Sequence, residues 1–212
     1  MSKIHFVIDI SASMASNIDS VREGIRNTVS SLTDCEISLS TFNNHIYLDQ
    51  SSTPKSEFNI PTFNCRGQTR LYDCLKQVLS YEMNQDNCVI IILTDGINNL
   101  GATSESDVCR LIEDFQRKEN VIKFLGCNID ALAYASILGV RREDSLSFDG
   151  MCASHAFRAV SENIFEFQET GVNKAFLLPQ RTASMCTSSL QSRQDLPIAA
   201  PTLQRCKSML DV

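Results

Sequence analysis

The run Cys88-Val89-Ile90-Ile91-Ile92-Leu93-Thr94 constrains this chain more than any other segment. Its aliphatic side chains show no polar alternation, so both faces of the strand they form must be covered. A strand of that kind sits in the middle of a parallel sheet, with helices above and below. The flanking segments supply the rest. Lys3 to Asp9 reads as a strand ending in a carboxylate, and from Ala15 to Leu32 the residues Ile18, Val21, Ile25, Val29 and Leu32 recur at helical spacing. Glu36 to Phe42 and His45 to Gln50 read as two strands joined at Asn43-Asn44, a turn that suits asparagine's tolerance of positive φ. Helices are expected along Leu71, Leu75, Val78 and Leu79, from Ser104 through Phe115, from Asp130 to Gly139, and along Phe157, Val160, Ile164 and Phe167. Further strands are expected at Val121 to Leu125 and Ser145 to Phe148. Strands alternating with helices make an α/β domain with a mainly parallel sheet.

Charge narrows the function classes. With 19 Lys+Arg against 25 Asp+Glu, the chain carries −6 and lacks the basic footprint of a nucleic-acid or anionic-membrane binder. The sign changes along the chain: residues 1–169 hold 14 basic and 23 acidic side chains, residues 170–212 hold 5 and 2. Helical periodicity stops near Gly171, and three of the five prolines follow it. The expected organisation is therefore a folded domain over residues 1–169 and a mostly disordered tail over residues 170–212. Two basophilic-kinase-like patterns, Arg181 to Ser184 and Arg205 to Ser208, lie in that tail and carry little weight alone. The nine cysteines include no Cys-x-x-Cys pair and the three histidines are scattered, which argues against zinc. No signal-peptide pattern and no membrane-spanning run is present, so the expected setting is the reducing cytoplasm.

Ligands of an open α/β sheet collect outside the carboxyl ends of its strands. Three loops at that edge carry small oxygen donors: Asp9-Ile10-Ser11-Ala12-Ser13, then Gly67-Gln68-Thr69, then Thr94-Asp95-Gly96. Each alone is a common capping pattern; a threonine before a helix usually caps it. Together, hydroxyl and carboxylate oxygens from three loops are a donor set for a hard divalent cation.

In order and spacing these three loops resemble the metal-ion-dependent adhesion site (MIDAS) of von Willebrand factor A domains. The segments Ile37 to Asn43, Arg66 to Cys74 and Phe124 to Asp130 extend the resemblance, which covers about Lys3 to Phe167 and is strongest toward stand-alone intracellular members of bacteria, phages and large DNA viruses. It implies a Rossmann-like, doubly wound α/β fold: a mainly parallel central sheet with one antiparallel edge strand and helices on both faces. It also implies that Ser11 and Ser13 ligate Mg²⁺ or Mn²⁺ directly, that Thr69 does so in the ligand-bound form, and that Asp9 and Asp95 mostly hold metal-bound waters. The implied function is non-enzymatic: the ion captures an Asp or Glu of a partner protein. The family's usual Ser-Gly-Ser is Ser11-Ala12-Ser13 here, which stiffens the loop without removing a ligand. Asp73 reads as structural, with a role behind the metal waters left open, and Asn98 and Asn99 beyond Asp95 read as turn residues that could also line the rim. Two rival classes remain, an Mg²⁺-dependent hydrolase or phosphotransferase and an adaptor that binds through its tail. Against the first, an aspartyl-phosphate enzyme needs Asp-x-Asp where this chain has Asp9-Ile10-Ser11, and no nucleotide-binding glycine loop is present. The oligomeric state is not legible.

Overall fold

A computed structural model describes residues 2–185. Six strands, β1 (Ser2–Asp9), β2 (Cys35–Phe42), β3 (Ile46–Pro54), β4 (Cys88–Thr94), β5 (Val121–Cys127) and β6 (Ser145–Phe148), form one sheet in the order β3-β2-β1-β4-β5-β6. All neighbours run parallel except β2 and β3, whose antiparallel pairing makes β3 the reversed edge. The helices are α1 (Ile18–Ser31), α2 (Leu71–Glu82), α3 (Glu105–Arg117), α4 (Ala131–Ile137), α5 (Ala153–Thr170) and α6 (Leu178–Ala183). This is the doubly wound architecture read from the sequence.

Strand β4 is central, as its composition requires. Every residue from Cys88 to Thr94 is fully buried. Val89, Ile91 and Leu93 pack with α1 and α5 on one face, while Ile90 and Ile92 pack with α2, α3 and α4 on the other. The strand order reverses direction between β1 and β4, which opens a crevice at their carboxyl ends. Asp9 closes β1 at that crevice, and Thr94 closes β4 there.

Local chemistry explains several element ends. The Ser104 hydroxyl accepts the Asp107 N–H and starts α3, and the Asp130 carboxylate accepts the Ala133 N–H and starts α4. Gly171 ends α5 in the left-handed region at φ 69°. Two expectations change. The helix expected from Ala15 begins at Ile18, because Ala12–Ser16 forms a separate 3₁₀ turn. The Asn43-Asn44 turn uses no positive φ; instead the Asn43 side chain accepts the His45 N–H at 3.0 Å, a side-chain substitute for a backbone turn bond.

The segment after Gly171 packs where disorder was expected. Phe176 is buried, and its N–H donates to the Glu143 carbonyl at 2.9 Å. The buried Lys123 ammonium of β5 donates to Asp144 Oδ1 at 2.7 Å and to the Lys174 carbonyl at 2.5 Å, and lies over the Phe176 ring. Asn173 donates to both Asp144 oxygens, and Arg181 donates to the carbonyls of Ser145, Arg142 and Glu143. The folded body thus continues through the described end of the chain beside the edge strand β6. Single anchors of this kind leave no periodic trace in a sequence. Ser184, the candidate modification site of the first kinase-like pattern, is fully buried. The second pattern and the rest of the expected tail, residues 186–212, lie outside the described residues. Cys35, Cys65, Cys74, Cys88, Cys109 and Cys127 are free thiols, and among the described residues no helix is long and apolar enough to cross a membrane.

Candidate metal centre

The three donor loops meet at the crevice. Loop one is tied to loop two by backbone bonds, Ala12 N–H to the Gly67 carbonyl at 3.1 Å and Arg66 N–H to the Ile10 carbonyl at 3.0 Å. Loop one meets loop three through the Ser13 hydroxyl, which donates to Asp95 Oδ1 at 2.7 Å. Ser11 Oγ lies 3.2 Å from Ser13 Oγ. Loop two meets loop three at Thr69, whose Oγ1 lies 3.5 Å from where a Cβ on Gly96 would stand. All five residues singled out in the sequence, Asp9, Ser11, Ser13, Thr69 and Asp95, are therefore brought together by direct contacts among their loops. Ala12 is not among the residues with positive φ, so it fits where the family pattern has glycine.

Asp9 carries the electrostatics of the site. It is fully buried. Its Oδ1 accepts the Ser11 N–H at 2.7 Å, and its Oδ2 accepts the Thr94 hydroxyl at 2.6 Å. Burial outweighs these two bonds and pushes its pKa up to about 6. Burial also raises the Asp95 carboxyl above the usual carboxylate range, partly offset by the Ser13 hydroxyl. No lysine, arginine or histidine pairs with either carboxylate among the described residues. Two desolvated acids held near each other without a counter-charge favour binding of a cation.

Thr69 is not a helix cap. Arg70 occupies the cap position of α2, with no side-chain capping bond. Thr69 is 3% exposed, and its hydroxyl makes no hydrogen bond among the described residues. No described protein group takes up this hydroxyl, which leaves its oxygen available to a ligand at the crevice. The donor set is thus three neutral hydroxyls with two carboxylates. Among the described residues no three His, Cys, Asp or Glu side chains gather as a thiolate or imidazole cage would require. Oxygen donors of this kind suit a hard divalent ion that keeps some of its waters.

Sequence reasoning missed the supports of the site. Asn98 Oδ1 accepts the Tyr72 N–H at 3.0 Å and Asn99 Oδ1 accepts the Thr69 N–H at 2.9 Å, so both asparagines work across loops rather than in a turn of their own. Asp73, read as structural, anchors the same loop by accepting the Ala102 and Thr103 N–H groups and the Arg70 guanidinium. Gly101 (φ 122°) is packed so closely there that a Cβ would stand 2.8 Å from Asp73 Oδ2. A Gly at that point was the one signal in the sequence.

A second polar string bears on the hydrolase alternative. His5 meets Ser40 Oγ through Nε2 at 2.8 Å and Glu82 Oε1 through Nδ1 at 2.7 Å. The order matches that of a hydrolytic triad, but all three residues are buried between the sheet and α2, where a substrate cannot reach the serine. Lys3 stands 3.1 Å from Glu82 Oε2, an ion pair by distance without hydrogen-bond alignment.

No protein-family model matches the chain, and no curated protein matches it. Solved structures do. Proximal thread matrix protein 1 from the mussel byssus, with a zinc-occupied MIDAS motif, aligns at TM-score 0.61 and 16% identity, over 77% of this chain and 48% of that one. The ArnB paralog VWA2 from Sulfolobus acidocaldarius aligns at 0.59 and 20%, over 76% and 44%. Manganese-loaded TRAP protein from Plasmodium vivax aligns at 0.53 and 18%, over 73% and 70%. The chain spans about half the length of the byssus protein, and at these identities the likeness is one of fold.

Proposed function

From the von Willebrand factor A fold of this chain, we propose that it is a non-enzymatic binding module that holds Mg²⁺ or Mn²⁺ at Asp9, Ser11, Ser13, Thr69 and Asp95 and captures an Asp or Glu of a partner protein. The observation that carries the reading is Asp9: a fully buried carboxylate at the mouth of the crevice, with no cationic side chain to balance it. The occupied MIDAS motif of the byssus protein and the manganese in TRAP support a divalent ion on this fold.

The ion, when bound, supplies a positive centre that an incoming carboxylate can reach. The chain's own residues set its character. Ser11, Ser13 and Thr69 offer neutral oxygens, which leave the positive charge largely uncompensated by direct ligands. Asp9 and Asp95 would balance it from farther out through metal-bound water, with Asp95 also orienting the Ser13 hydroxyl. Asp9 is held by Thr94 and by the Ser11 N–H, so it cannot swing toward the ion without breaking both bonds.

Two observations speak against the hydrolase or phosphotransferase alternative. Ser11 stands where an aspartyl-phosphate enzyme would place its second carboxylate, and the Ser40–His5–Glu82 string is closed to solvent. Affinity capture with the full chain, in Mg²⁺ and in EDTA, tests the reading. The expected result is a partner retained only in Mg²⁺ and lost with Asp9→Asn. Capture undiminished by excess chelator overturns it and shifts attention to the tail.

A further inference from the structure

The loop that carries Asp95 also holds the backbone of Thr69. The Asn99 N–H donates to the Thr69 carbonyl at 3.1 Å, and the Thr69 N–H donates back to Asn99 Oδ1 at 2.9 Å. One residue along, Asn98 Oδ1 accepts the Tyr72 N–H in the first turn of α2, and the Asn98 N–H donates to the Tyr134 hydroxyl at 2.8 Å. Thr69 precedes α2, so its N–H has no partner within the helix, and Asn99 supplies one from a residue thirty positions away. The result is a division of labour within one residue: the Thr69 backbone is bonded on both sides, while its hydroxyl makes no hydrogen bond among the described residues.

We infer that Asn99 is a positioning residue of the metal centre: its side-chain amide fixes the Thr69 backbone so that the Thr69 hydroxyl faces the ion, and it joins the Thr69 and Asp95 loops into one body. The inference rests on the metal reading above. Without the Asn99 carbonyl, the loop ending at Thr69 is held by fewer bonds, and ligation by Thr69 must first order it. The backbone bond from Asn99 to the Thr69 carbonyl survives any substitution, so the side chain can be tested alone. Asn99 is exposed, so its variants should fold as the wild type does, which unfolding in EDTA checks.

Mn²⁺ is the probe, with excess acetate standing for the incoming carboxylate. Free Mn²⁺ is followed by electron paramagnetic resonance, and the waters on bound Mn²⁺ by proton relaxation. Thr69→Ala and Asn99→Ala should each weaken Mn²⁺ binding about five- to tenfold, the scale of one hydrogen-bonded or ligating contact, and each should raise the relaxation signal as water replaces the hydroxyl. The double variant should bind no more weakly than Thr69→Ala, because Asn99 acts through Thr69. Asn99→Asp, whose carboxylate still accepts the Thr69 N–H, should restore the wild-type relaxation. Losses that multiply in the double variant, or an Asn99→Ala variant with wild-type affinity and relaxation beside a weakened Thr69→Ala, overturn this inference and leave the metal site standing. A wild-type chain that binds no Mn²⁺ overturns the metal reading and this inference together.

Discussion

Glu82 and Asp144 lie as deep in the protein as Asp9, yet each meets a lysine and Asp9 meets none. Asp144 is paired with Lys123, whose own ammonium burial pushes toward neutrality while Asp144 pulls it back. Glu82 sits between Lys3 and His5. These two clusters lie within the packed layers, where an unbalanced charge costs several kcal/mol and the fold supplies the counter-charge itself. At the crevice, Asp9 has only a hydroxyl and one N–H dipole. The difference teaches where the molecule is complete and where it awaits something from outside.

Breaking the internally balanced side should have the largest effect. Lys123→Ala strands the Asp144 charge and removes a donor to the Lys174 carbonyl, so urea unfolding should show a loss of about 3–5 kcal/mol. A loss below about 1 kcal/mol would mean that the pair is not needed and would erase the contrast with Asp9. The crevice should behave in the opposite way. Mg²⁺ at about a hundred times its dissociation constant should stabilise the wild type by about 2.7 kcal/mol and Asp9→Asn by only about 0.4–1.4 kcal/mol. Equal stabilisation of both proteins by Mg²⁺ would place the ion elsewhere.

Asp9→Asn sharpens the comparison further. Calorimetry should find Mn²⁺ affinity reduced about ten- to a hundredfold, the usual scale for a carboxylate that acts on a metal through water. In EDTA the same variant should unfold within about 1 kcal/mol of wild type, since the amide keeps an acceptor for the Ser11 N–H. A loss as large as that of Lys123→Ala would make Asp9 a structural charge.

The smallest expected effect belongs to Asp73, which stands between the two classes because it supports the site yet is balanced by the protein. Burial alone would raise its pKa, but the bonds from Thr103 and Arg70 outweigh it and hold the carboxyl at about 2. A depressed carboxylate contributes its stability fully above its ordinary value near 4 and loses it as the pH falls toward 2. Asp73→Asn should therefore cost about 1 kcal/mol at neutral pH, and its gap from wild type should close in acid. A gap that stays constant down to pH 2 would show that the Asp73 charge contributes nothing.

The candidate site was legible to different depths. Asp9, Ser11, Ser13, Thr69 and Asp95 all stand at strand ends or before a helix, and a sheet's carboxyl edge gathers such positions without knowledge of any contact. Thr69 marks the limit of that logic: a threonine before a helix usually caps it, and only the position of Arg70 shows that its hydroxyl is free of that task. Lys123 was hidden inside an apolar strand, where nothing marks a lysine as buried until its partner Asp144 and the Lys174 carbonyl arrive.

By itself the sequence determined the α/β class, the centrality of Cys88 to Thr94, the paired strands around Asn43-Asn44 and the order of the donor loops. These follow from period and composition, which report the face a residue occupies. The tertiary structure alone decided the counter-charges, the asparagine brackets behind Thr69, and the packing of residues 172–185 beside β6. Each of those depends on single contacts between residues far apart in the chain, thirty positions for Thr69 and Asn99 and fifty-one for Lys123 and Lys174. One hydrogen bond has no period, so it leaves no pattern to read until the chain has closed the loop that makes it.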